Sequence, residues 1–155
     1  MFLIGTHRCK LDVKARLSLP SGLKKQLKMV WHQGFIIKRS LFQLCLELYP
    51  MEGWNAVIAK VNKLNRFVKK SNDFIRRLSA GVRLVEADNH GRIQIAKDLI
   101  AFAGIQKEVM ISSSINMIEI WNKMRYEQTI EADKASFFEL AEEVMGNLRD
   151  EASLS

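Results

Sequence analysis

Cysteine is scarce in this chain: two residues in 155, Cys9 and Cys45, without CxxC spacing. That excludes a disulfide framework; both are read as small buried hydrophobes in a reducing compartment, and no disulfide is expected. Long apolar runs are missing as well. Stretches such as Phe35-Ile36-Ile37 and Leu99-Ile100-Ala101-Phe102-Ala103 fall far short of the roughly 20 residues that span a bilayer, so no transmembrane helix and no membrane partner are expected. The opening Met1-Phe2-Leu3-Ile4-Gly5 has neither the basic region nor the extended apolar stretch of a secretory signal, and the chain is expected in the cytoplasm. Signatures of catalysis are absent too. The histidines His7, His32 and His90 and the two cysteines show no metal-ligand spacing, and no glycine-rich phosphate loop, GxSxG elbow or HExxH run occurs. Asp12 and Asp88 could be imagined as an acid–base pair of carboxylates in a small hydrolase. Each, however, has an arginine four residues on, and an ion pair that holds a turn accounts for both. No enzyme activity, cofactor, metal or small-molecule substrate is expected.

What is present is a globular composition with an uneven charge. Hydrophobic residues make up 48% and charged residues 26%, enough apolar surface for a packed core. From Glu127 onward eight acids oppose only Lys134 and Arg149, a net of −6; because the whole chain is +7, residues 1–126 carry +13. A strongly basic body with an acidic tail is the footprint of a polyanion binder.

An internal repeat organises the chain. Gly5, Asp12 and Arg16 recur as Gly81, Asp88 and Arg92 at a constant offset of 76, and Leu17, Leu19 and Leu23 fall on Ile93, Ile95 and Leu99. Further on, Leu46-Glu47-Leu48-Tyr49 matches Ile118-Glu119-Ile120-Trp121 and Trp54 matches Tyr126 at offset 72, so the first copy holds about four extra residues in a loop. In each copy a strand leads to a D-x-x-x-R segment. An alternating strand follows (Arg16-Leu-Ser-Leu, Arg92-Ile-Gln-Ile) whose every second side chain is apolar, the mark of a half-buried sheet. A short helix comes next, Leu23 to Leu27 or Leu99 to Ala103 with Gly104 as its stop. Strands near 35–39 and 44–49, and near 108–113 and 117–121, close each unit. Trp54, Val57, Ile58, Val61 and Leu64, then Phe74, Ile75 and Leu78, recur at helical spacing and form a connector. Ser136-Phe-Phe-Glu139 reads as a capping box opening a C-terminal helix.

The doubled basic turn remains to carry function. Lys14 and Arg16 alternate with Val13 and Ala15, and His90 and Arg92 hold the equivalent places. In extended chain such i, i+2 side chains emerge on one face. Arginine suits both phosphates and the O6/N7 edge of guanine because its planar fork donates two parallel hydrogen bonds. The competing reading is that each arginine only braces its own Asp turn.

Together, Phe2…Gly5, Leu11-Asp12-Val-Lys14-Ala-Arg16-Leu…Pro20, Cys45-Leu46-Glu47-Leu48-Tyr49-Pro50…Trp54, Asp88-Asn-His-Gly91-Arg92-Ile, Ala103-Gly104-Ile105…Glu108-Val109 and Ile118-Glu119-Ile120-Trp121 resemble the MraZ family, in order from residue 2 to about 146. The resemblance implies an α+β fold of two tandem swapped-hairpin AbrB/SpoVT-like modules in one pseudo-two-fold domain. The corresponding boundaries are 1–53 and 80–126 for the modules, 54–79 for the helical connector and 127–155 for the acidic C-terminal helix and tail. It implies a nucleoid-associated transcriptional repressor of the division and cell-wall gene cluster, binding repeated promoter boxes of double-stranded DNA as a ring-like homo-oligomer. Lys14, Arg16, His90 and Arg92 would contact DNA, and Asp12 and Asp88 would hold the turns. The alternative is a non-enzymatic, antitoxin-like module whose basic β face grips an acidic protein. Three positions depart from the pattern: Ala15 stands where glycine is usual, His90 stands opposite Lys14, and Ala96 stands opposite Pro20. Ala15 puts the tightness of the first turn in question, and His90, an imidazole where the first copy has a lysine ammonium, predicts weaker contact by the second copy.

Overall fold

The computed structural model of the chain describes residues 2–132 and 134–154, with backbone only at 134–135 and 149–154. Residues 1–123 and 124–155 form two compact units. In the first, β1 (Thr6–Lys10), β2 (Arg16–Ser18), α1 (Ser21–Gln26), a 3₁₀ turn (Lys28–Gln33), β3 (Phe35–Arg39) and β4 (Leu46–Pro50) make the first copy. Helices α2 (Met51–Val61) and α3 (Lys69–Ser79) follow. The second copy is β5 (Arg83–Val85), β6 (Arg92–Gln94), α4 (Lys97–Ala103), β7 (Glu108–Ser114) and β8 (Met117–Asn122). The second unit comprises α5 (Lys123–Glu131) and α6 (Lys134–Leu154).

The strands exchange partners between copies. Six form one antiparallel sheet in the order β1-β7-β8-β4-β3-β5, and β2 and β6 form a separate two-stranded ladder. At the centre of the large sheet Glu47 lies opposite Glu119, flanked by Leu46↔Ile120 and Leu48↔Ile118; at the centre of the ladder Leu17 lies opposite Ile93, flanked by Arg16↔Gln94 and Ser18↔Arg92. Each central residue thus pairs with its own counterpart. Two antiparallel pairs centred this way are what a local two-fold requires, so the duplicated sequence folds as a pseudo-dimer in a mixed α+β fold. The extra residues of the first copy are divided between two places. Arg8↔Met110 matches Leu84↔Ile36, which puts β3 and β7 at offset 74: two of the four residues precede β3 and two lie in the β3–β4 hairpin.

The core sits between the sheet and the ladder. Leu17, Leu19, Leu23, Ile93, Ile95 and Leu99 are each at most 2% exposed and pack with Phe35, Ile37, Leu46, Leu48, Ile111, Ile118 and Ile120. Burying each such side chain contributes about 1.5–3 kcal/mol relative to exposure. β3 is buried along Phe35 to Lys38, because α2 and α3 cover the sheet face turned away from the core: Leu78 of α3 and Val57 of α2 line one groove with Lys38 and Tyr49. Lys38 is 2% exposed, and its ammonium donates to a carboxylate oxygen of Glu47, 3.1 Å away, and to the carbonyl of Arg39, the pairing a buried charge requires.

Two expectations are corrected. The first helix starts at Ser21 and is followed by the 3₁₀ turn, which the pattern did not announce. The last helix starts at Lys134, so Ser136 lies inside its first turn and is not its cap; Lys and Ala are good helix formers and extend the helix ahead of the serine.

Candidate nucleic-acid interface

Both D-x-x-x-R segments close into the same turn. The Asp12 Oδ1 atom accepts hydrogen bonds from the backbone N–H groups of Lys14 and Arg16, each 2.9 Å, while its Oδ2 accepts from Arg16 Nε at 2.6 Å. In the second copy Asp88 Oδ1 accepts from His90 N at 2.8 Å and Arg92 N at 3.0 Å, and Oδ2 accepts from Arg92 Nε at 2.8 Å. Backbone bonds from Ala15 to Asp12 and from Gly91 to Asp88 complete the match. Each aspartate therefore replaces the water its turn amides would otherwise need, in the manner of an Asx turn. The backbone N–H of Arg16, then its side chain and Lys14 N–H, hold the Asp12 carboxyl below its ordinary range. The equivalent bonds, led by the Arg92 N–H, bring Asp88 down to about 2.

The backbone sets how the basic groups are displayed. Ala15 takes φ 58° where Gly91 takes φ 74°, so the first turn keeps its shape at the cost of left-handed backbone on an alanine. Leu17 and Ile93 point into the core, and their neighbours Arg16, Ser18, Arg92 and Gln94 therefore lie on the outer face of the ladder. Lys14 and His90 are exposed at the turns.

The ladder draws the two turns together. The Arg92 Nη1 atom lies 4.0 Å from Asp12 Oδ2, and the Gln94 side-chain amide donates to the Lys14 carbonyl. Asp12 is thus shared between Arg16 and Arg92. Each arginine is held through Nε, and the terminal nitrogens of Arg16 make no hydrogen bond among the described residues. Arg16 and Arg92 are 26% and 29% exposed at the side chain, so both are aimed by their aspartates and still reach the surface.

Two residues at this site escaped the sequence reading. Gln94 is exposed two positions beyond Arg92 on the same face; the alternation could have flagged it, and its amide can pair with adenine in a major groove. Lys24 of α1 packs on the second turn, where a Cβ added to Gly91 would lie 2.7 Å from its Nζ. Its counterpart by offset is Ile100, so the repeat gave no signal.

Chemically the arrangement offers a two-stranded ribbon with a doubled set of basic donors. No group of three or more His, Cys, Asp or Glu placed to hold a metal ion occurs among the described residues. No helix among them is long and apolar enough to cross a membrane. Cys45 is buried, and burial pushes its thiol up to about 12, which removes it as a nucleophile.

Comparison with known proteins agrees with this duplicated architecture. A family model described as "MraZ protein, putative antitoxin-like" matches residues 2–77 and again 78–150, one match per copy. The chain is 60% identical over 145 residues to the transcriptional regulator MraZ of Christiangramia forsetii, covering 94% of each chain. It is 54% identical over 149 residues to that of Flavobacterium psychrophilum, covering 96% of this chain and 95% of the relative. To the one of Pediococcus pentosaceus it is 36% identical over 145 residues, covering 94% and 97%. Two family-model matches that together take in nearly the whole chain, with relatives this similar end to end, place the chain in the MraZ family.

Proposed function

We propose that this chain regulates transcription by binding double-stranded DNA sequence-specifically through Lys14, Arg16, His90 and Arg92. In this reading it acts as a ring-like homo-oligomer on repeated promoter boxes and represses the division and cell-wall gene cluster. The regulatory part rests on family membership, since the relatives at 60% and 54% identity are named transcriptional regulators. The observation that carries DNA binding is the pair of Asp-latched turns converging on one ladder, with Arg16 and Arg92 on its outer face. A two-stranded β-ribbon fits the major groove of B-DNA. A preset arginine loses less rotamer freedom on contact than a free one. One module makes few contacts, and repetition around a ring multiplies them through effective concentration.

The test is titration of a labelled fragment from upstream of the gene's own operon, in the presence of competitor DNA. Specific binding is expected, with affinity falling as salt rises. Lys14→Ala is expected to flatten the dependence of log affinity on log salt by about 0.9. Equal affinity for the operon fragment and a scrambled one would contradict the reading. The family description as antitoxin-like favours a second reading, a basic β face that grips an acidic protein. That reading gains ground if DNA of every sequence binds equally weakly.

A further inference from the structure

Each compact unit leaves an apolar surface exposed, and the segments that bear these surfaces carry opposite net charge. In the first unit α2, α3 and the β3–β4 hairpin enclose a groove of about 440 Å³, lined by Leu41, Phe42, Val57, Val61 and Phe74 with Lys60 on its wall. The segment 60–77 that builds this wall carries seven bases, Lys60, Lys63, Arg66, Lys69, Lys70, Arg76 and Arg77, against the single acid Asp73, a net of +6. In the second unit Phe137, Leu140, Val144 and Leu148 of α6 recur at the spacing of one helix face and are 54–63% exposed. Glu139, Glu142 and Glu143 lie on the opposite side of the same helix, within a tail whose net charge is −6.

An acidic amphipathic helix and an apolar groove built from a basic segment, with Lys60 in its lining beside the paired Lys38 and Glu47, are the two halves of helix-in-groove recognition, and contiguous exposed apolar surface marks an interaction site. We propose that α6 docks into the α2–α3 groove of a second copy of this chain, head to tail. A contact between two different surfaces of identical chains is heterologous and closes into a ring where the rotation permits. The inference therefore rests on the homo-oligomer in the proposed function and deepens it by naming the surfaces. The groove faces away from the core, on the Lys38 and Glu47 side of the sheet, whereas the ladder bearing Arg16 and Arg92 packs on the other side. Docking there leaves the proposed DNA-binding face open.

The experiment is light scattering of three full-length proteins. These are the wild type, an α6 variant Leu140→Glu/Val144→Glu, and a groove variant Val57→Glu/Phe74→Glu. The wild type is expected to have a mass several times 17.8 kDa, and each variant alone the mass of one chain. Mixed in equal amounts, the variants are expected to give a species of twice 17.8 kDa and nothing larger, because one retains an intact groove and the other an intact helix. Should the groove variant fail to fold, Lys60→Glu/Lys63→Glu replaces it, with the same expected loss of mass. Variants that keep the wild-type mass would overturn the docking while leaving the oligomer in place. A mixture that stays monomeric would overturn it as well, since the helix would then dock on its own chain or elsewhere. A monomeric wild type would overturn the oligomeric reading itself.

Discussion

At Ala15 a methyl group occupies a place that the backbone reserves for glycine. Its φ is 58°, against 74° for Gly91 at the same point of the second turn. Left-handed backbone costs a non-glycine residue about 1–2 kcal/mol, offset by about 0.5–1 kcal/mol of entropy that a glycine would lose on folding. Ala15→Gly is therefore expected to stabilise the protein by about 0.5–1 kcal/mol in urea titration, and Gly91→Ala to destabilise it and displace Lys24. The aspartates set an acid limit. A carboxyl depressed in the folded state contributes stability that is present above its unfolded value and is lost as pH falls through its folded one. For Asp88 that window runs from about 3.8 down to about 2. Melting temperature followed from pH 5 to pH 2 is expected to fall most steeply there, and Asp88→Asn to reduce that slope. A slope unchanged in the variant would show that the turn bonds contribute nothing to folding. The motif residues were legible in sequence because the repeat marks them twice. Lys24 was not, because its role depends on packing against Gly91 across 67 positions of chain.

Among the elements, the β2–β6 ladder bears the proposed site and is three residues long on each side. So short a ladder is held by what it buries. Leu17 is 0% and Ile93 1% exposed at its centre, and Ile93→Ala is expected to cost about 2–5 kcal/mol in denaturant unfolding, the range for buried large-to-small changes. A loss under about 0.5 kcal/mol would mean that the ladder is not anchored there. Alternation in the sequence revealed which face of β2 and β6 is buried, since period two reports the face of a strand. It could not reveal that β1 pairs with β7 and β5 with β3, because period two says nothing of the partner; that swap entered only through the family resemblance. The 3₁₀ turn Lys28–Gln33 was illegible because no residue of it is buried, so it leaves no apolar period.

For the molecule as a whole, the exchanged strands make the two copies interdependent. A fragment of residues 1–50 holds β1 without β7 and β2 without β6, and a fragment of 80–126 holds β5 without β3. Each would expose half of the shared core, and modules of this size are marginal even when complete. Neither is expected to melt cooperatively by circular dichroism, and a sharp transition from either would contradict the single shared core. In the proposed function the arginines bind DNA while their aspartates hold the turns. That division of roles is tested most directly by measuring unfolding free energy and DNA affinity, at one fixed salt concentration, on Arg16→Ala, Arg92→Ala, Asp12→Ala and Asp88→Ala. An arginine variant gives up one Nε bond, whereas an aspartate variant gives up that bond and two to the backbone. The arginine variants are therefore expected to stay within about 1 kcal/mol of wild-type stability and to lose specific affinity by roughly tenfold or more, with the aspartate variants less stable than either. Equal destabilisation of all four, with affinity falling only as the folded fraction falls, would contradict the account.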